Sequence, residues 1–572
     1  MALVTVDLKQ LKGFGLADMI VLSFLVALVA GLAVLGHQWG APYQATVKID
    51  LSPSALFGYS LLSLARGFGA YLVSLLFTFW WALWAARSKM AERILIPLVD
   101  ILQSIPVLGF MPGLVLGLVR IFPNSRWGLE IAGILLIFTS QAWNMILAFY
   151  QSLTSIPGDL KAAAELAGLS PMKRFFSMEL PCGMNVLAWN SMMSMAGGWF
   201  FLTASEAFQL GDQDFRLPGV GSYMSVALDQ GNVPAMVYAV VAMVLMVVAV
   251  DQLVWRPLLA WSFRFRLEEH EGAEQPSSWM LALLVKSKAL RRLGERATAK
   301  VLGLILRSVP GAVLKPIRRT VSRTAKFEYF ETLAAAAFGV AMFWGSWRLL
   351  SLLSEISLRQ WGGLWAEAGM TLARTLLATL LGSLWAIPLG VKIGTNPRLV
   401  KTLGPAIQIT ASFPAPMLFP AVLVVLFALG LNLDTASVIL MMSGTAWYIL
   451  LNVIAGASQV PVEQSEIWAL YGGGGWRRWR HFIIPSILPA LLVGWETAMG
   501  GAWNASILTE YFRLDGVTHS ARGLGATINL ATEKGDFALL TAAVLVMVLI
   551  VVAINRLVWH RMYDYAYKAA HG

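Results

Sequence analysis

The chain contains a long series of apolar segments, and this pattern restricts its fold more than any other feature. A helix that crosses a bilayer needs about 20 consecutive, mainly apolar residues. Segments of this kind lie at approximately 17–36, 60–86, 94–118, 131–152, 183–207 and 233–257, and again at 331–353, 368–391, 402–430, 435–456, 486–509 and 537–558. The sequence therefore predicts an all-α polytopic membrane protein with about twelve transmembrane helices.

The second half of the chain repeats the first. SLARGFGAYLVSLL, from Ser63, is similar to TLARTLLATLLGSL, from Thr371, and the two residue numbers differ by 308. Further along the difference becomes 304, as for Glu206 and Glu510. Six spans per half return the chain to its starting side, so we predict two parallel six-helix repeats related by an axis along the membrane normal.

The repeat divides the chain into a first half, 1–261, a linker, 262–328, and a second half, 329–572. Fourteen basic and six acidic residues give the linker a net charge of +8, which is too polar for a span. We predict a basic cytoplasmic tether, part of which lies on the inner leaflet as an amphipathic helix. The net charge of +11 for the whole chain does not indicate nucleic acid, because basic residues on cytoplasmic loops orient any polytopic protein.

One loop occurs in both halves between the predicted fourth and fifth spans. It reads AAAELAGLSPMKRFFSMELP from Ala162 and EQSEIWALYGGGGWRRWRHFIIP from Glu463. Both copies predict a short helix, a glycine break and a second, basic helix that ends at a proline, because glycine allows the backbone to reverse where a side chain would clash.

These loops resemble the signature of the type I permease subunits of binding-protein-dependent ATP-binding-cassette (ABC) importers. That signature is Glu-Ala-Ala, three residues, Gly, nine residues, an apolar residue, any residue, Leu and Pro. In that family the loop forms a coupling helix that docks in a groove of the ATPase subunit. The resemblance assigns this role to Ala162, Ala163, Ala164, Gly168 and Pro181 in the first copy and to Glu466, Trp468, Gly472 and Pro485 in the second.

Further patterns resemble the branch of that family that handles nitrate, sulfonates, taurine and bicarbonate, in a duplicated, fused form. They are SLARGF and TLARTL around Arg66 and Arg374, then GGWFFLTASEAF and GGAWNASILTEYF, each followed by GVG or GLG. The resemblance implies import of a small anion across a bacterial inner membrane. It also implies two ABC ATPase subunits and an extracytoplasmic substrate-binding protein as partners. Basic residues such as Arg87, Lys161 and Arg477 mark the cytoplasmic loops, and with six spans per half they predict that both termini are in the cytoplasm.

The chain has no nucleotide-binding motif of its own. No G-x-x-x-x-G-K-[ST] occurs, nor any Gly-Lys pair, so ATP hydrolysis by a P-loop is excluded. No metal-ligand spacing or nucleophile elbow is visible. We therefore expect a non-catalytic subunit that binds no cofactor or metal, with ATP and Mg²⁺ on the partner ATPase.

Polar residues of the predicted fifth span are candidates for the substrate pathway. An ionisable residue within a span marks a pathway by default, and residues seven apart share a helix face. The candidates are Trp199, Thr203 and Glu206 in the first half and Trp503, Asn504, Thr509 and Glu510 in the second. A second interpretation stays open, in which Arg66 and Arg374 form ion pairs with the two glutamates or contact the anion.

A function of another class also fits the repeats. In an ion-coupled secondary transporter, Glu206, Glu510 and Glu496 would relay protons. Uptake by the purified protein alone, driven by a proton gradient and indifferent to ATP, would distinguish this function from ATP-driven import.

Overall fold

The computed structural model describes residues 48–123, 125–210, 213–265, 278–286, 343–460, 475–514 and 517–571, together with 340, 464 and 466. The predicted first span at 17–36 and most of the linker lie outside these residues. Of the predicted span at 331–353, residues 340 and 343–353 are described and helical. The count of twelve spans stays a prediction.

The described part of the first half is a series of helices with one small hairpin. Its helices are α1 Ala55–Arg87, α2 Lys89–Ser104, α3 Met111–Ile121, α4 Trp127–Thr154, α5 Gly158–Leu166, α6 Pro171–Arg174, α7 Leu180–Glu206, α8 Val220–Asp229, α9 Val233–Val250 and α10 Arg256–Ser262. Strands β1 Gln209–Leu210 and β2 Gln213–Asp214 pair antiparallel between α7 and α8. Helix α11, Trp279–Lys286, belongs to the linker.

The second half repeats this order. After the helical residues 343–353, the helices described in this half are α12 Leu358–Gly394, α13 Pro397–Ser412, α14 Phe419–Ala428, α15 Leu433–Ser458, α16 Trp476–Arg478, α17 Ile484–Thr509, α18 Leu524–Lys534, α19 Phe537–Ile554 and α20 His560–His571. Strands β3 Tyr511–Leu514 and β4 Val517–Ser520 form the matching antiparallel hairpin. The sequence predicted neither hairpin, because strands this short carry no alternation of apolar and polar residues.

Seven helical stretches in the described residues are long and apolar enough to cross a membrane: Ala55–Arg87, Trp127–Thr154, Val233–Phe265, Leu358–Gly394, Leu433–Ser458, Trp476–Thr509 and Phe537–Ala566. The all-α polytopic fold predicted from the sequence is confirmed. Helix α7, with 27 residues, holds in the first half the place that Trp476–Thr509 holds in the second.

The predicted span at 94–118 is not one straight helix. Helices α2 and α3 meet at an angle of 84°. Ile105 and Pro106 between them are extended, because a proline disfavours the helical conformation of the residue before it and lacks a backbone N–H. Phe413 and Pro414 are extended in the same way between α13 and α14.

Each bent span packs against the other half of the chain. Val107, Leu108 and Met111 lie in one hydrophobic core with Trp503 and Ile507 of α17. Met417 lies reciprocally in the core built around α7 and α9. The two halves therefore share their interior, since each completes the core of the other.

Within the described ranges, four π-helical turns interrupt the helices at matching positions of the two halves. They are Phe175–Glu179, Asp251–Trp255, Trp479–Ile483 and Asn555–Trp559. The first and third join the two glycine-containing loops to α7 and α17, respectively. The second and fourth follow the C-terminal ends of α9 and α19. Such turns are rare and frequently mark functional positions in helices.

Candidate functional site: two arginine clasps and two exposed loops

A buried arginine joins three helices in the first half, and we call this cluster the first clasp. The Arg66 guanidinium donates from Nη1 to Glu206 Oε1 at 2.7 Å and from Nη2 to Glu130 Oε1 at 2.8 Å. It also donates to the carbonyl oxygen of Pro218 at 2.8 Å. The Ser63 hydroxyl donates to Glu206 Oε1 at 2.7 Å. All three charged side chains are buried, so helices α1, α4 and α7 are tied together at one end.

The second clasp reproduces this arrangement around Arg374. Its Nη1 donates to Glu510 Oε1 at 2.9 Å and to the carbonyl oxygen of Arg522 at 2.7 Å, and its Nη2 is paired with Asp434. Thr371 takes the place of the serine and donates to Glu510 Oε1 at 2.9 Å. The clasps differ in exposure, because the side chain of Asp434 is 50% exposed whereas that of Glu130 is 3% exposed.

The GVG motif at 219–221 and the GLG motif at 523–525 bind the glutamates of the two clasps. The backbone N–H of Gly221 donates to Glu206 Oε2 at 2.9 Å, and that of Gly525 donates to Glu510 Oε2 at the same distance. A Cβ atom on Gly219 would lie 2.3 Å from the Glu206 carboxylate, and one on Gly523 would lie 2.3 Å from that of Glu510. Only a residue without a side chain therefore fits against each glutamate.

The structure brings Arg66 together with Glu206 and Arg374 together with Glu510, which is the ion-pair arrangement that the sequence left open. The sequence analysis did not find Glu130 and Asp434, although these carboxylates keep the 304-residue difference of the repeat. An acidic residue at the same place in both apolar halves was the signal that could have identified them.

The remaining pathway candidates lie on α7 and α17. Trp199, Thr203, Trp503 and Thr509 are buried. The indole Nε1 of Trp503 and the hydroxyl of Thr509 have no hydrogen-bond partner among the described residues. Asn504 is half-buried and accepts a hydrogen bond from the backbone N–H of Val107 at 2.8 Å, across the boundary between the halves.

Each hairpin is fixed to the short helix that follows it. In the first half Arg216 is paired with Asp229 of α8. In the second half Tyr511 donates to Glu533 Oε2 of α18 at 2.6 Å. Burial and this neighbouring carboxylate raise the pKa of Tyr511 to about 12.

The first glycine-containing loop forms two short helices with a reversal between them, as the sequence predicts. Helix α5 ends before Gly168, whose φ of +62° lies in the left-handed region that glycine adopts without strain. The Ser170 hydroxyl then accepts from the backbone N–H of Lys173 and caps α6. Ala162, Ala163 and Gly168 are exposed, Ala164 is buried, and Pro181 lies in the first turn of α7.

Two apolar side chains of this loop are exposed, because no other described residue packs over them. Leu166 is 90% exposed and Met172 is 67% exposed. The buried Glu179 connects the loop to α1. Its carboxylate accepts a hydrogen bond from Arg87 of α1 at 2.7 Å and forms an ion pair with Arg174 of α6 at 3.0 Å. A loop that is tied by ion pairs and exposes apolar side chains is suited to contact with another protein.

The second loop is described only in part. Glu466 is exposed, whereas Trp468 and Gly472 lie outside the described residues. Where the description resumes, Gly475 has a φ of +66° and Trp476 is 74% exposed. Pro485 lies in the first turn of α17. Within the part of the chain that is described, no group of three or more His, Cys, Asp or Glu side chains could hold a metal ion.

Two copies of one helical module, clasped alike and each with a protruding loop, define a duplicated polytopic membrane protein. Both copies match the family described as the binding-protein-dependent transport system inner membrane component, at residues 74–254 and 378–565. The chain belongs to this family. The resemblance seen in the sequence is thereby confirmed, as is the multi-pass location in an inner membrane.

Three relatives are permease proteins. The chain is 27% identical over 173 residues to the taurine transport system permease protein TauC of Escherichia coli (30% of this chain, 58% of the relative). It is 26% identical over 154 residues to the nitrate import permease protein NrtB of Synechococcus elongatus (27% and 54%). It is 29% identical over 148 residues to the bicarbonate transport system permease protein CmpB of a Synechocystis species (26% and 51%). The chain spans somewhat more than half the length of these relatives.

Proposed function

We propose that this chain is the membrane-spanning core of an ATP-driven ABC importer for a small anion. Two separate ATPase subunits hydrolyse ATP, and an extracytoplasmic binding protein delivers the substrate. The chain itself performs no catalysis and binds no cofactor. Family membership supports the general role, and the taurine, nitrate and bicarbonate relatives support the class of substrate.

The observation that carries this proposal is the exposed apolar surface that Leu166 and Met172 form on the first loop, with Trp476 as the counterpart of Met172 on the second. These side chains are exposed at the loop ends of the spans. Burying one large apolar side chain in a partner contributes about 1.5–3 kcal/mol, so a few of them make a stable contact. An ATPase subunit docked at each loop would cover them.

Movement of the loop would reach the membrane through the π-helical turns Phe175–Glu179 and Trp479–Ile483. These turns lie directly between the loops and helices α7 and α17. Because Glu179 also ties the first loop to α1, a displacement of that loop acts on two helices at once. The clasps hold the opposite ends of the same helices, so each half moves as one body.

The anion would pass between the halves, where α7 and α17 meet the bent span of the other half. Neutral donors suit a dehydrated anion because they hold it without the strong attraction of a full charge. The unpaired donors on Trp503 and Thr509 and the amide of Asn504 are the candidates in the second half. Glu206 and Glu510 act in this proposal as structural partners of the arginines, which leaves neither free to relay protons.

The test is co-purification followed by transport. We expect the tagged chain, extracted from its native membrane in mild detergent, to retain an ATPase with a P-loop. The reconstituted complex should then take up radiolabelled nitrate, bicarbonate or taurine only with ATP. Replacing both Gly168 and Gly472 with valine should abolish this uptake and leave membrane insertion intact.

The matched control replaces Gly117 and Gly404 with valine, because an added Cβ meets no atom within 4 Å at either position. Full transport in the Gly168→Val/Gly472→Val variant would contradict the coupling role. Uptake by the purified chain alone, driven by a proton gradient, would contradict the whole proposal and favour a secondary transporter.

A further inference from the structure

A cavity of about 370 Å³ lies at the loop end of the first half, away from both clasps. It is lined by Lys89, Glu92, Arg93, Ile96, Pro97 and Tyr150. Five of these residues lie in the first nine residues of α2, and Tyr150 lies one turn before the end of α4. Because α4 leads directly into α5, the cavity lies on the same side of the membrane as the exposed loop.

The polar wall of the cavity carries a net positive charge. Lys89 and Arg93 are four residues apart, so their side chains lie on one face of α2. Tyr150 donates a hydrogen bond to Glu92 Oε1 at 2.6 Å, which fixes this carboxylate against α4. Two cations and one carboxylate leave one unit of positive charge facing the opening.

The neighbouring surface of the same helix is apolar and exposed. Met90 is 75% exposed and Ile94 is 56% exposed, and Leu98 continues this stripe one turn further. On the preceding helix Trp80 and Trp84 are also exposed, as expected for side chains at a membrane interface. A cationic cavity beside an apolar stripe matches a molecule with an anionic head and hydrocarbon chains.

We propose that this cavity binds the headgroup of an anionic phospholipid, such as phosphatidylglycerol, with its acyl chains along Met90, Ile94 and Leu98. The phosphate lies between Lys89 and Arg93. At the equivalent positions of the second half, Pro397, Val400 and Ile454 replace Lys89, Glu92 and Tyr150, and only Arg93 has a basic counterpart, Lys401. The proposal therefore concerns the cavity of the first half.

The experiment counts bound lipid on the full chain by native mass spectrometry, after exchange into detergent with phosphatidylglycerol or phosphatidylcholine. Each cation near the surface contributes about 1 kcal/mol to the binding of an anionic lipid, so Lys89→Gln/Arg93→Gln should weaken phosphatidylglycerol binding by about 30-fold. Arg398→Gln/Lys401→Gln on α13 removes the same charge from the equivalent helix and should have no effect on this site.

A third variant gives a change of opposite sign, which a folding defect would not produce. Glu92→Gln removes the one anion from the cavity and should strengthen phosphatidylglycerol binding by about fivefold. Equal losses in the α2 and α13 variants, or equal retention of the two lipids, would overturn the proposal. So would displacement of the lipid by millimolar inorganic phosphate, which would indicate a site for a soluble anion. Lipid binding is measured without transport, so this result does not depend on the proposed function.

Discussion

Removing the arginine of the first clasp should be among the most destabilising single changes in this chain. In Arg66→Met, Glu130 and Glu206 stay buried next to each other without a cation, and the carbonyl oxygen of Pro218 loses its donor. Removing one partner of a buried ion pair destabilises the folded state by about 3–5 kcal/mol, because the other charge stays buried without compensation. We expect the free energy of unfolding to fall by this amount.

The second clasp supplies the matched control. Arg374→Met removes the same interactions, but its partner Asp434 is half exposed and can be hydrated, whereas Glu130 cannot. We therefore expect a smaller loss, about 2 kcal/mol, since water compensates an exposed charge. The double variant Arg66→Met/Glu206→Gln should be more stable than Arg66→Met alone, because it leaves one buried carboxylate instead of two.

Unfolding by titration with SDS in mixed micelles, followed by circular dichroism, measures these differences. The reasoning would be refuted if Arg66→Met and Arg374→Met lowered the free energy of unfolding by the same amount. It would also be refuted if adding Glu206→Gln to Arg66→Met lowered the free energy of unfolding further. Either result would mean that the carboxylates do not depend on the shared guanidinium.

Two further changes test the packing by thermal unfolding in detergent. Gly219→Ala places a methyl group against the clasp carboxylate and should cost about 1–3 kcal/mol, whereas Gly117→Ala, in open space within a helix, should be neutral or stabilising by about 0.5–1 kcal/mol. Asn504→Ala removes the acceptor of the Val107 N–H and should cost about 1–3 kcal/mol, because that backbone donor loses its partner. Asn190→Ala, which loses only a bond within its own helix, should cost less.

The internal repeat made much of the fold predictable from the sequence. Apolar segments of the right length gave the helices, and paired residues such as Arg66 and Arg374 marked equivalent positions in both halves. The glycine at 168 was predicted to reverse the chain, and its positive φ agrees with this. These features are local or duplicated, so one sequence is sufficient to reveal them.

Other features depend on contacts between distant segments. The bend at Pro106 was not predicted although the proline is visible, and the bent span packs against α17 and α19 of the other half. The sequences of the π-helical turns share no pattern from which such a turn could be predicted. Glu130 has an acidic counterpart in Asp434, which the repeat could have revealed, but its pairing with Arg66 depends on how α1, α4 and α7 converge.

The most direct test of coupling is the distance between the two loops during the ATP cycle. Nitroxide labels at Leu166→Cys and Trp476→Cys, with the single native cysteine removed by Cys182→Ser, report it by double electron–electron resonance. In the complex with its ATPase subunits, we predict that the distance becomes shorter when ATP binds and returns after hydrolysis. A distance that ATP leaves unchanged in an actively transporting complex would contradict the account.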